Sequence, residues 1–327
     1  MEIYGVDMAK AKFDVCFSRN GKLIYKTITN NFPAIFKFLG SLSKDAAVVL
    51  EHTGSYGQKL IHSCLVMDIP VAVLSGYYVR NAFKNIKTKN DKVDSLIIRE
   101  YALRFTDRLR WEKKVSVVFE ELSRLLSIRQ KTMKYIQTLE NEMEARNQYP
   151  SSSIFACTYC KDEIKNAKKK VKLIEREMKN CIKSCSELNR YFKILDSIVG
   201  FGLMSITMLL VKTRGFTRLC NAKQMAAFAG VAPYQNQSGT VNKKSRTSKQ
   251  CDQDLKTQFF MSASVASQHD PKMRYYKHVK KLEGKHHFVI MTNIANKMLR
   301  IAYALIRDNK EYQIGHAVKD PRLRDAV

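Results

Sequence analysis

Short apolar runs alternate with amphipathic stretches over the first third of the chain, and long helical periodicity takes over after it. Ile3 to Asp7 predicts a short strand. Lys12-Phe-Asp-Val-Cys-Phe-Ser18 and Lys22-Leu-Ile-Tyr-Lys-Thr-Ile28 flank an Asn20-Gly21 pair, the signature of a tight hairpin. Ala46-Ala-Val-Val-Leu50 has the unbroken apolar character of a buried strand and runs into Glu51. Tyr56 to Met67 predicts a helix and Pro70-Val-Ala-Val-Leu74 a further strand, so residues 1–111 are expected to form a mixed α/β domain.

From 112 to 190 the period lengthens. Leu122, Leu125, Ile136, Leu139 and Met143 fit one helical stripe, the Tyr149-Pro150-Ser-Ser-Ser153 break ends it, and a second helix follows. An antiparallel helical hairpin, with the character of an oligomerising coiled coil, is the expectation. Residues 191–310 predict a mainly α third unit. It opens on Leu195-Asp-Ser-Ile-Val-Gly200-Phe-Gly202-Leu203, a glycine-bearing turn between helices that fits equally a simple connector and an element of the helix-hairpin-helix kind, which offers backbone N–H groups to a phosphate. A basic polar stretch from Gln235 to Lys249 follows, then an apolar-periodic helix from Phe288 to Ile306. Residues 311–327 are expected to be a flexible tail.

Charge changes the picture most. The 327 residues carry 57 Lys and Arg against 30 Asp and Glu, a formal charge of +27. A polyanion is the partner such a surface fits, because each phosphate neutralised releases counterions. No uninterrupted apolar run reaches the ~18 residues of a spanning helix, and MEIYGVDMAK lacks a cationic leader, so a cytoplasmic protein without a membrane partner is expected.

Of the eight cysteines, Cys157-x-x-Cys160 with Cys181-x-x-x-Cys185 has a zinc-like rhythm. Between Lys161 and Leu188, however, there is no Gly or Pro, and Ile164, Ala167, Val171, Ile174, Met178, Cys181, Cys185 and Leu188 trace a heptad seam. A continuous helix there separates Cys160 from Cys181 by about 30 Å, too far to share an ion. Reduced thiols are the reading. Trp111 and Tyr77-Tyr78 are read as packing or domain-edge residues rather than base-stacking ones, His286-His287 lacks further ligands at metal spacing, and Lys168-Lys-Lys170 fits a solvated helix face as well as a backbone-tracking one.

Four acids carry the chemistry. Asp7 and Glu51 close strands, and Asp91 and Asp94, three apart, share one face at a helix start. Oxygen donors of this kind suit hard divalent cations, and two such ions activate a nucleophile and stabilise a leaving oxygen at a phosphodiester. Asp91 and Asp94 alone also fit an ordinary helix start, one as cap and one as first-turn acid.

The motifs in order resemble a known family. Gly5-Val-Asp7-Met-Ala-Lys10 with Phe13-Asp14, Leu50-Glu51-His-Thr-Gly54-Ser-Tyr-Gly57 and Lys87-Thr-Lys-Asn-Asp91-Lys-Val-Asp94-Ser are similar to the DEDD transposases of insertion sequences. Ile198-Val-Gly200-Phe-Gly202, Phe216, Lys223-Gln-Met-Ala-Ala-Phe-Ala-Gly230-Val-Ala-Pro233 and Gln237-Ser238-Gly239 match that family's carboxy-terminal transposase domain.

The resemblance implies an amino-terminal RNase H-like domain related to Holliday-junction resolvases, with magnesium or manganese held by Asp7, Glu51, Asp91 and Asp94. It implies that Ser238 is the nucleophile of a covalent serine-DNA intermediate. Read on its residues alone, Ser238 is a turn or phosphate-contacting serine beside Lys243, Lys244, Arg246 and Lys249, the candidate nucleic-acid contacts. The family further implies donor and target DNA, a structured guide (bridge) RNA, and a homodimer or homotetramer with the acids of one subunit meeting the serine of another. Departures stand at Ser75-Gly76, where the family often has Asn-Pro, at an extra residue within Lys87 to Asp91, and at Lys249 to Lys256. Two alternatives stay open on the residues: a metal-dependent junction nuclease with water as nucleophile, and a non-catalytic nucleic-acid scaffold.

Overall fold

The computed structural model describes residues 1–52, 54–83, 90–114, 116–146, 148, 154–219, 221–238, 241–248 and 250–314, with the side chains of 235–238 and 241–245 outside that set. The chain divides into two compact units, Met1–Lys114 and Val115–Val327.

In the first unit, β1 (Glu2–Met8), β2 (Lys12–Arg19) and β3 (Lys22–Thr29) form an antiparallel meander, with α1 (Phe32–Gly40) after it. The Asn20-Gly21 turn takes positive φ at both residues, 51° and 73°, as the sequence predicts. β4 (Ala46–Glu51), α2 (Gln58–Val66), β5 (Val71–Leu74), α3 (Gly76–Ala82) and α4 (Asp91–Arg104) complete the unit. The five strands lie in the order β3-β2-β1-β4-β5, with β1, β4 and β5 mutually parallel.

Period-two alternation along β1 sorts side chains between two cores. Tyr4, Val6 and Met8 pack with Ile35, Phe38, Leu39, Leu60 and Cys64 of α1 and α2. Ile3 packs on the other face with Val79 of α3 and Ile98, Tyr101 and Ala102 of α4. Asp7 therefore faces α4. Trp111 bridges to Ala72 of β5 and stays 36% exposed at the sheet edge.

The second unit is mostly helical. α5 (Val117–Arg146) and α6 (Ile154–Lys183) run antiparallel, pairing Arg129 with Glu175 at 2.7 Å and Glu140 with Lys168 at 2.9 Å in opposite order along the two helices. Ala167, Val171 and Met178 of the predicted seam are buried. The seam does not continue to Leu188 on one helix. α6 stops at Lys183, Cys185 is extended with φ −113° and ψ 115°, and α7 (Ser186–Asp196) starts anew. The Ser184 hydroxyl donates to the Cys181 carbonyl, offering the last turn a side-chain partner in place of the next helical N–H.

After α7 come α8 (Leu203–Thr213), α9 (Ala222–Phe228), the hairpin β6 (Pro233–Ser238) and β7 (Val241–Thr247), then α10 (Gln253–His269), α11 (Pro271–Leu282) and α12 (His287–Asp308). The basic polar stretch thus holds strands that its composition does not announce. α12 is long and apolar enough by composition to cross a membrane, but Ile290, Met291, Ile294, Ala295, Met298, Leu299 and Ala302 form its stripe in this unit's core. The Tyr149–Ser153 break and residues 315–327 of the expected tail lie outside the described residues.

Candidate functional site

The site of the four acids is built by close backbone packing. A Cβ on Gly5 would stand 2.6 Å from the Arg99 Cβ and backbone nitrogen, so only glycine lets α4 lie directly on β1. Because Ile3 meets Ile98 and Ala102 while Gly5 meets Ser95 and Arg99, α4 runs backward along β1, and its amino-terminal turn reaches the end that carries Asp7. Asn90, not Asp91, caps that turn: its side chain accepts the Val93 N–H at 2.8 Å. Asp91 and Asp94 are left free of capping duty in the first turn, beside the positive end of the helix dipole.

On the other side of β1, Leu50 pairs with Val6 and brings Glu51 to the same sheet end. A Cβ on Gly76 would collide with the Glu51 carboxylate, which lies against the start of α3 with Arg80 Nη2 3.8 Å from Oε1. The carboxyl of Asp7 is pushed up to about 6, first by burial and then by the negative charges of Asp94, Asp91, Glu51 and Asp14. The structure thus brings all four predicted acids within electrostatic reach of one another. Among the described residues, however, no three His, Cys, Asp or Glu side chains stand close enough to hold a metal ion. The carboxylates crowd Asp7 without closing on a common point. Their oxygen-only donor set, and the repulsion that a cation would relieve, fit a hard divalent ion.

Two residues that the sequence motifs give no role belong here. Asp14 sits directly opposite Asp7 in the β1–β2 register, with the Thr27 hydroxyl donating to its Oδ1. The position was legible in principle, since Asp7 and Asp14 are equidistant from the β1–β2 turn. Asn30, 7% exposed, donates through Nδ2 to the carbonyls of Ala9 at 3.1 Å and Tyr56 at 3.1 Å, tying the loop after Asp7 to the loop after Glu51.

In the second unit Ser238 is the last residue of β6, opposite Val241, and Lys243 pairs in register with Asn236. The base of this hairpin is fixed: the Val231 carbonyl accepts from Asn296 Nδ2 at 3.2 Å and the Thr247 hydroxyl from Lys256 Nζ at 3.4 Å. Arg246 is exposed opposite Tyr234. The side chains of Ser238, Lys243 and Lys244 lie outside the described set, as do Lys249 and residues 87–89 of the segment that carries the extra residue. Elsewhere, Tyr77 and Tyr78 are exposed on α3, edge to face at 5.6 Å.

Comparison with known proteins matches segments in both units to transposase families. A DEDD transposase family of the IS110 type, described as "Transposase", matches residues 4–146, and the family described as "Transposase IS116/IS110/IS902 family" matches residues 192–278. A pilin gene-inverting protein of Moraxella bovis is 27% identical over 319 residues, spanning 94% of this chain and 96% of the relative. A transposase for insertion sequence element IS1111A of Coxiella burnetii is 24% identical over 350 aligned positions, spanning 96% and 92%. The chain belongs to the IS110/IS116 family of insertion-sequence transposases. It is an enzyme of the DNA recombinase and transposase class.

Proposed function

We propose that this transposase cuts and rejoins DNA by transesterification, with Ser238 as nucleophile and with magnesium or manganese held by Asp7, Glu51, Asp91 and Asp94. Residues 1–111 form a catalytic domain of RNase H-like type, a reading supported by the strand order β3-β2-β1-β4-β5 with its antiparallel meander and parallel extension. Residues 112–190 are the helical hairpin and 191–310 the serine-bearing transposase domain. The observation that carries the metal reading is the meeting of Asp7, Glu51 and the first turn of α4 at one end of the sheet, where burial and the neighbouring acids push the Asp7 carboxyl up.

In the reaction, the Ser238 hydroxyl oxygen bonds to the scissile phosphorus and loses its proton. The bond from phosphorus to one deoxyribose oxygen breaks, and that oxygen leaves as a hydroxyl after taking up a proton. A hydroxyl of the recipient strand then attacks the phosphoserine and releases Ser238, so one phosphodiester replaces another without external energy. A divalent ion held by Asp7, Glu51, Asp91 and Asp94 would supply positive charge to offset that of the phosphate and the leaving oxygen. Asp7 and its neighbours hold that ion, and the cations of the β6–β7 hairpin, Lys243, Lys244, Arg246 and Lys249, contact the phosphate backbone. Donor and target are chosen with a structured guide RNA, and the protein acts as a homodimer or homotetramer in the cytoplasm, where its DNA lies.

Denaturing electrophoresis of the protein with cleaved, labelled DNA tests this. A protein-DNA adduct present in the native chain and absent from Ser238→Ala is expected. Cleavage that proceeds unchanged in Ser238→Ala, with no adduct in either protein, refutes the serine step and leaves a metal-dependent nuclease. Intact activity in Asp7→Ala and Glu51→Ala refutes the metal-holding role.

A further inference from the structure

The most exposed continuous corner of the second unit is the turn between α11 and α12, where residues 281–289 are all open to solvent. Its composition is unusual. Leu282 is 76% exposed and Phe288 61% exposed, yet both stand among cations. α11 brings Lys272, Arg274, Lys277, Lys280 and Lys281 with no acid, and Lys285, His286 and His287 follow. The one acid of the turn, Glu283, is occupied by Lys280 at 2.6 Å. Neither Lys281 nor Lys285 has an acidic partner among the described residues.

The corner is also rigid. Gly284 takes φ +71°, and the N–H of Lys285 bonds back to the Lys280 carbonyl at 3.0 Å, closing α11 in the manner of a Schellman turn. His286 caps α12, its Nδ1 accepting the Phe288 N–H at 3.3 Å, and the Phe288 ring rests on Phe260 with centroids 5.5 Å apart. Apolar side chains fixed on a rigid, cation-rimmed corner fit a partner that is anionic outside and apolar between its rungs. Duplex DNA is that partner: cations seat the phosphates while an apolar wedge enters between base steps and kinks the helix. The same cation-rich corner on a second copy would repel it, so a like-on-like contact through this corner is electrostatically unfavourable.

We propose that the α11–α12 corner is a DNA-bending contact, in which Lys281 and Lys285 hold backbone phosphates and the exposed Leu282 and Phe288 are the apolar wedge. The contact is distinct from the β6–β7 hairpin and needs neither the serine step nor the metal.

The test uses the full-length protein and a duplex of about 30 base pairs labelled at both ends for energy transfer, with affinity measured across salt concentrations. Replacing Lys281 and Lys285 together by Ala should make the plot of log affinity against log salt shallower by about 1.8, and weaken binding on the order of 50-fold at 0.1 M salt. Leu282→Ala should keep the native salt slope and lose the energy-transfer change that reports bending. Phe288→Ala is a second wedge variant, with circular dichroism verifying its fold. An unchanged slope in the lysine variant overturns the proposal, as does native bending in Leu282→Ala. So does a Leu282→Ala protein that bends DNA normally but falls to a smaller oligomer in sedimentation, since the corner would then be a protein contact.

Discussion

Replacing Asp7 by Asn should make the metal-free protein more stable, at the cost of its metal response. The carboxyl titrates near 6 in the fold against 3.8 in an unfolded chain, so the folded state holds this proton more tightly. Below about pH 3 both states are protonated and the group contributes nothing. As pH rises from there to about 6 the unfolded chain releases its proton first, stability falls, and above 6 the full penalty of an ionised Asp7 remains. The shift corresponds to about 3 kcal/mol at 1.36 kcal/mol per unit, and partial solvent access to the site screens this to about 1–2 kcal/mol. Trp111, the single tryptophan of the chain, lies in the first unit beside β5, so its fluorescence during urea unfolding reports the unit that carries Asp7. In chelator, Asp7→Asn should exceed the native protein by that margin at about pH 8 and match it at about pH 3. Added magnesium at about 100 times its dissociation constant should stabilise the native protein by about 2.7 kcal/mol and leave the variant unmoved. A variant that is no more stable at pH 8 in chelator, or one that gains as much from magnesium as the native protein, refutes the crowded-carboxylate account.

Gly5→Ala should cost about 1–3 kcal/mol, because the new methyl meets Arg99 at 2.6 Å and α4 has to lift from β1; a urea midpoint unchanged from the native chain, together with an unchanged magnesium response, would show that the close approach is dispensable. Asn30→Ala removes the amide hydrogen bonds that join the Ala9 and Tyr56 carbonyls, and should cost about 1–3 kcal/mol with a matching loss of strand cleavage, read by gel assay. Asp14→Asn should lower the pH at which Asp7 titrates, since it removes one of the four charges that hold it up, and proton-detected titration of the carboxyl region checks the direction.

The first unit was legible because its signals are local. Alternation in Lys12–Ser18 and Lys22–Ile28 around Asn20-Gly21 specifies strands, turn and register at once, and the unbroken run Ala46–Leu50 specifies a strand buried on both faces. The four acids were legible as motifs. Their meeting was not derivable from spacing, since it depends on the lack of a side chain at Gly5 and on the path of α4, a tertiary matter. The hairpin at Pro233–Thr247 was hidden because Gln, Asn, Ser and Lys fill positions where a half-buried strand shows alternation. The stop between α6 and α7 was hidden for the opposite reason: the heptad pattern runs straight through Ser184-Cys185, with no Gly or Pro to mark the break.

Asn30 has a mechanical consequence. One amide grips the loops behind both Asp7 and Glu51, so the strand-borne acids travel as a single jaw, and the pair on α4 is the other. The separation of the two jaws is set by how closely α4 seats on Gly5. A contact that presses on the outer face of that helix would therefore bear on the spacing between Asp7 and the pair Asp91 and Asp94.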